Sequence, residues 1–479
     1  MSRKNLLSVV EGAGLLLGVL FVAALMLPII QSIGYAVLFE APALLWWTGI
    51  GIALGTGAAY KGHLDLALAL VALFAVIGLI GLGLSGVYAQ EHIYENQQFE
   101  EKAELPETGS EHVRVLPRNV ADQYAESSNQ IPKYRVGESN IAYNDGTYTW
   151  SYPVVPDRFA VSWFGNQWGA YYVDMERTGR SVTTSQTKMN NGLGQVFFDS
   201  FGYQTHLNKL GAAHQPDTTF VFEHENETHI AKSYTNHEWH FRFLPIPQPY
   251  AVPKYGGTLV VDSDGNIQDM SPEEVAESEM LEGQNTYPYD LARFRMQSVQ
   301  YKKGIANKIF VGDEVPKIAD TGGYSDNEQP FTVPVKDGDS TPELEYFIAA
   351  SPAGSGGSVY QIYQIDGQTG EIEYVEFDEN RAGPQKAAGF TRSQNREPTW
   401  AVDGGSTQIT EPIPSMIDGE LYWHMRVTPS DGSRISYTTF VNASSGNVYR
   451  ADTTEEIVSF IESSGDQSDT GGSESNESP

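Results

Sequence analysis

Six of the ten histidines fall within 35 residues: His206, His214, His224, His229, His237 and His240. Glu223, Glu225, Glu227 and Glu238 are interleaved with them. Imidazole and carboxylate together are a donor set for zinc or another divalent cation. His237-Glu238-Trp239-His240 falls short of the helical metalloprotease pair, which needs histidines at i and i+4 on one face. Its second histidine stands at i+3, in a run that reads as a strand, where i and i+3 point to opposite faces. His224 and His229 flank the turn at 225–228 and could meet across a hairpin. The candidate ligands are therefore His224, His229, His237 and His240. They would serve an extracytoplasmic metal-dependent hydrolase built on residues 206–240. The bland alternative is a set of surface hairpin histidines.

Other chemistry is thinner. The chain has no cysteine, which excludes a disulfide scaffold, a thiolate metal site and a cysteine nucleophile. It lacks a G-x-S-x-G elbow. Gly354-Ser355-Gly356-Gly357 has no lysine or following helix to cradle phosphate, and reads as a hairpin loop. Asp262–Gly265 lacks the remaining ligands of a twelve-residue calcium loop. No catalytic residue and no obligatory cofactor is expected. Trp163, Phe164 and Trp168, with Tyr171 and Tyr172, form a dense aromatic group. It suits either a sheet core or an exposed patch for a partner. Asn226, Asn442 and Asn476 each begin an N-x-S/T triplet, an acceptor pattern for glycosylation on an external domain.

The elements that must position these residues divide in two. The chain has 479 residues and a net charge of -31. Residues 1–90 hold three basic and three acidic residues, so the rest of the chain carries the whole charge. The neutral block contains three stretches near the 20 or so apolar residues a bilayer requires: Leu6–Ile30, Ala41–Tyr60 and Leu66–Ala89. Three N-terminal transmembrane helices are expected. Arg3 and Lys4, then Lys61 and His63, place the N-terminus in the cytoplasm and the C-terminal part outside a plasma membrane. Glu11 lies in the first stretch, about two turns from its cytoplasmic end and within reach of the interface. Gly14/Gly18 and Gly51/Gly55 have the spacing of closely packed membrane helices, which permits a packed anchor or a homo-oligomer. Only 14 of the 30 basic residues are lysine. With scattered acids, that composition resembles extreme halophile proteins, whose self-repelling surfaces are screened by salt. It also argues against a nucleic-acid partner.

Beyond the anchor, the pattern is α+β. A strand, an Asp or Asn, a turn closing on Gly and a second strand recur at Asp174–Gly179, Asp262–Gly265, Asp366–Gly370 and Asn442–Gly446. Helices are expected at Asn119–Gln130, Phe201–Ala213, Ser271–Glu274 onward, Tyr289–Lys303 and Thr453–Ser463. The strand–Asp–turn–Thr-Gly–strand elements at Asp366–Ile372 and Asn442–Val448 resemble the PepSY-type domain. That is a small helix-plus-sheet module of extracytoplasmic membrane proteins. The resemblance implies restraint or binding of a partner rather than a fixed active site. The expected organisation is a membrane anchor over 1–90, a stalk over 91–111, units over 112–190, 191–284, 285–378 and 379–461, and a disordered acidic tail over 462–479. The expected function is a non-enzymatic, membrane-anchored scaffold or binding protein. Its partners are the lipid bilayer and another envelope protein. A structural membrane component of a mobile element or virus is a third reading.

Overall fold

The computed structural model describes residues 16, 18–196, 198, 200–312, 315–322, 328–335, 342–352, 357–395 and 399–465. Arg3, Lys4, Glu11, Gly14, residues 354–356, Asn476 and the tail beyond 465 lie outside that set.

The body is mixed α+β, built on four small sheets in which antiparallel pairing dominates. A short strand, β1 (Glu100–Glu101), leads into it. The first sheet joins β2 (Tyr134–Val136), β3 (Asn140–Asn144), β4 (Thr147–Pro156), β5 (Gln167–Asp174) and β6 (Val182–Met189). The second is a meander of β7 (Ala213–His224), β8 (Glu227–Arg242), β9 (Gln248–Val261) and β10 (Ile267–Met270). The third contains β1 together with β11 (Pro316–Ile318), β12 (Phe331–Val335), β13 (Glu343–Pro352), β14 (Ser358–Asp366) and β15 (Ile372–Ala382). The fourth is the meander β16 (Thr407–Ile417), β17 (Glu420–Pro429), β18 (Tyr437–Asn442) and β19 (Val448–Ala451). A helix stands ahead of the main strands of each sheet: Arg118–Ser128, Phe201–Asn208, Tyr289–Gln297 and Pro384–Gln394. Alternation along the strands turns aromatic and branched residues inward. Trp150, Tyr152 and Val173 pack with Val120 and Ala125 of the first of these helices.

The third and fourth sheets each carry a turn of the same kind, with the same pair of backbone N–H bonds to its first side chain. Asp366 Oδ1 accepts from the N–H of Gln368 and Thr369 at 2.9 and 2.6 Å. Asn442 Oδ1 accepts from the N–H of Ser444 and Ser445 at 2.9 and 2.8 Å. Gly370 and Gly446 both close the turn at φ 75, where a β-carbon would be strained. At Gly370 that carbon would also collide with the Tyr287 ring. The other two turns differ. Gly265 closes a shorter loop at φ 90, and Gly179 is not in the positive-φ region.

The N-terminal block corrects the expectation of three crossings. Among the described residues one helix, Leu64–Asn96, is long and apolar enough to cross a membrane. At 1.5 Å per residue it extends about 50 Å. The first apolar stretch breaks at Met26, where Gly18–Leu25 and Leu27–Glu40 meet at 61°. Pro28 sits in the first turn after that break. The later half then docks on the body: Gln31 Nε2 donates to the Lys209 carbonyl at 2.9 Å. Pro42–Tyr60 packs on Leu64–Asn96 through Gly51 and Gly55, where added β-carbons would lie 2.7 Å from Phe74 Cβ and 3.0 Å from Val71 Cγ2. The small-residue spacing does mark close helix packing there.

No free stalk follows. The long helix ends at Asn96, and β1 then adds a parallel strand to β15. Helix ends elsewhere follow local chemistry. Ser271 and Glu274 form a reciprocal capping box at Pro272–Ala276. The expected helix at 201–213 stops at Asn208, because β7 begins at Ala213.

Candidate functional site

The four candidate metal ligands occupy separate places. His237 Nδ1 lies 2.6 Å from the Tyr35 hydroxyl, and burial lowers its pKa to about 4. His240, on the other face of β8, has its ring centroid 4.1 Å from His92 and stacks on Tyr250. His224 and His229 flank their hairpin turn with ring centroids 6.4 Å apart, and His229 stacks on Phe222. His206 and His214 lie 4.3 Å apart, each within hydrogen-bond distance of a backbone carbonyl. Among the described residues no three His, Cys, Asp or Glu side chains form a metal-holding group. Strand alternation separates His237 from His240, and contacts with the N-terminal helices claim each one.

The aromatic group also divides. Tyr171 and Tyr172 are core residues. Trp168 is half-buried against Tyr134, with Lys188 Nζ 4.7 Å from its ring. Trp163 and Phe164 stand out on the short helix Phe159–Phe164, Phe164 being 86% exposed. They border a hollow of about 470 Å³ that Asn166, Asn190, Asn191 and Gln195 also line. Those amides are held in place. Asn166 Nδ2 donates to Asn190 Oδ1 at 2.7 Å, and Asn191 Nδ2 to the Gly265 carbonyl at 2.8 Å. An aromatic edge beside ordered amides can offer both stacking and hydrogen bonds to a partner.

The two described sequons differ. Asn226 is exposed at φ 62 in the β7–β8 turn, open to modification. Asn442 uses its side-chain oxygen to hold the repeated turn.

A third feature has no motif in the sequence. The far end of the β8–β9 hairpin, residues 236–253, is a ribbon held between the N-terminal helices. Phe241 meets Trp46 with ring centroids 5.6 Å apart, and Trp239 meets Phe39 at 6.2 Å. On the opposite side Gln248 Nε2 donates to the Gly81 carbonyl at 2.8 Å, and Arg242 pairs with the buried Glu91. Glu91 also accepts from the Ile305 N–H at 3.1 Å. The signal in the sequence is the length of the two strands around an apolar Phe243-Leu244-Pro245-Ile246-Pro247 turn.

No protein-family model, curated protein or solved structure matches this chain. Its chemistry must be read from its own side chains. A cleft of about 550 Å³ lies where the long helix meets the third sheet. Its Arg295 is already engaged by Gln97, Tyr287 and the Gly370 carbonyl.

Proposed function

We propose that this protein is a membrane-anchored, extracytoplasmic binding or scaffold protein without catalytic activity. One contrast carries the reading. The histidines, Arg242, Arg295 and the buried Glu91 described above are tied to structural partners, whereas Phe164 projects from an ordered edge with the Trp163 ring beside it. A rigid exposed aromatic group is suited to binding, since aromatic anchors dominate interface energetics.

Anchoring is supported by the bare apolar surface of Leu64–Asn96. Leu64, Leu68 and Leu79 are each at least 60% exposed, while Tyr88 and Ala89 farther along are buried by the body. Pro42–Tyr60 packs closely along it through Gly51 and Gly55. Lys61 and His63 at the bend would face the cytoplasm, leaving the acidic body outside. The matching turns at Asp366 and Asn442, each in a helix-plus-sheet unit, support a PepSY-like arrangement. The acidic composition supports a saline habitat.

Photo-crosslinking from position 164 in native membranes tests the reading. A discrete protein adduct, lost in the Trp163→Ala variant, is expected. Absence of any adduct, or turnover of ester or peptide substrates by the purified protein in high salt, overturns it.

A further inference from the structure

We propose that the ribbon tip and the segment Lys302–Val311 form a foot that seats the body in the outer leaflet of the membrane. The inference rests on the anchor reading above and adds a second lipid contact, made by the body itself.

The ribbon runs alongside the long helix. Tyr250 sits against Tyr88 and His92, and Gln248, two residues nearer the tip, reaches Gly81 and Ser85. Each step toward the tip therefore moves toward the apolar end of the helix. Phe243 and Leu244 are 74% and 76% exposed. No charged residue lies between Arg242 and Lys254.

The second part is fastened to the same point. Glu91 binds Arg242 of the ribbon and the Ile305 N–H. Ile305, like Leu84 and Val87, packs against the cluster of Tyr88, Ala89 and Tyr250. Just beyond it, Ile309, Phe310 and Val311 are exposed, Phe310 at 84%. Lys302, Lys303 and Lys308 lie within the same ten residues, which contain no acid. Three of the 14 lysines of a strongly acidic chain thus flank this exposed apolar turn.

Lipid is the occupant these features fit. Both exposed apolar segments are fastened beside Gly81–Glu91, where the run of exposed apolar residues of the long helix ends, and lysine at their edge is the residue that reaches headgroup phosphates while its stem lies in apolar surroundings. Trp46, 44% exposed against Phe241, adds an indole at the same junction, where membrane proteins concentrate tryptophan. A continuous apolar patch on an acidic body in water would instead be an aggregation liability.

The absence of cysteine makes the test direct. Single variants Leu244→Cys, Phe310→Cys, Leu73→Cys and Ser433→Cys of the full chain each receive an environment-sensitive fluorophore. They are placed in vesicles of phosphatidylcholine and phosphatidylglycerol carrying shallow brominated acyl chains. The foot predicts blue-shifted emission and bromolipid quenching at 244 and 310, together with quenching at 73 and none at 433. Quenching at 73 that is missing at 244 or at 310 overturns the foot and leaves the anchor standing. No quenching at 73 overturns the anchor and the foot with it. A blue shift at 244 or 310 without bromolipid quenching assigns the surface to protein, and also overturns the foot.

Discussion

Arg114 Nη2 lies 2.9 Å from Glu411 Oε2, and both side chains are almost wholly buried. The pair joins the segment ahead of the helix Arg118–Ser128 to the fourth sheet. Glu411 also accepts from the Arg118 N–H at 2.8 Å. It thereby caps the helix Arg118–Ser128, whose own N-cap, Pro117, makes no side-chain cap bond. Arg426, also buried, donates to the Val115 and Glu411 carbonyls. Its pKa is pushed down to about 9 by burial, and it remains a cation at neutral pH.

Glu411→Gln should therefore destabilise the body severely. It keeps the shape but leaves two buried guanidinium groups without a carboxylate. Breaking a buried pair from one side costs roughly 3–5 kcal/mol. Denaturant unfolding should show a lower midpoint with an unchanged slope. An unchanged midpoint would show that the pair contributes nothing.

The glycines of Pro42–Tyr60 make a paired prediction. An added β-carbon at Gly51 would collide with Phe74, while Gly57 has nothing within 4 Å. Gly51→Ile should cost about 1–3 kcal/mol by forcing the helices apart, whereas Gly57→Ile should be near neutral. Detergent denaturation of the two variants side by side reads the difference.

Acidification provides a third test. His237 and His214 have folded-state pKa values lowered from 6.5 to about 4 and about 3, chiefly by burial. His206 and His229 are lowered for the same leading reason. Between those folded values and 6.5 the unfolded chain binds more protons, so stability falls as pH drops through that window. A tenfold difference in proton affinity between the two states is worth about 1.4 kcal/mol, less where solvent reaches the ring. The melting temperature should fall between pH 7 and pH 4, and His237→Gln should make that slope shallower. An unchanged slope in the variant would remove His237 from the account.

Much of the body is legible in the sequence because its signals are local. Ser271-Pro272-Glu273-Glu274 carries its own cap, and Asp366 and Asn442 carry their own turns. Strand periodicity also separates His237 from His240. The N-terminal block is harder to read because hydropathy records composition and not direction. It registers the apolar length before Ile30 but not the bend at Met26, nor the docking of Gln31 on Lys209. Trp163, on a short helix, and Tyr172, on a strand, are close in sequence yet differ in exposure, which depends on whether a second layer covers each element. The ties between Glu91 and Arg242 and between Arg114 and Glu411 link residues far apart in the chain. No single-sequence pattern announces such a partner.

Glu345 gives the opposite pH dependence from the histidines. It stands on β13 directly across from Asp366 on β14. Burial, with Asp366, Glu343 and Glu373 nearby, raises its pKa from 4.5 to about 8, although a hydrogen bond from Gln364 opposes the rise. Between pH 4.5 and 8 the folded state therefore holds the proton more tightly than the unfolded state. Stability contributed by this group is full below pH 4.5 and is lost as pH rises through 8. Glu345→Gln removes the ionisation and retains a hydrogen-bonding amide. It should raise stability by about 1–3 kcal/mol at about pH 8.5, after allowance for partial solvent screening. At about pH 4.5 the variant and the parent should melt together. Equal stabilisation at both pH values would point to packing rather than charge, and a loss at the higher pH would show that the carboxylate is needed where it stands.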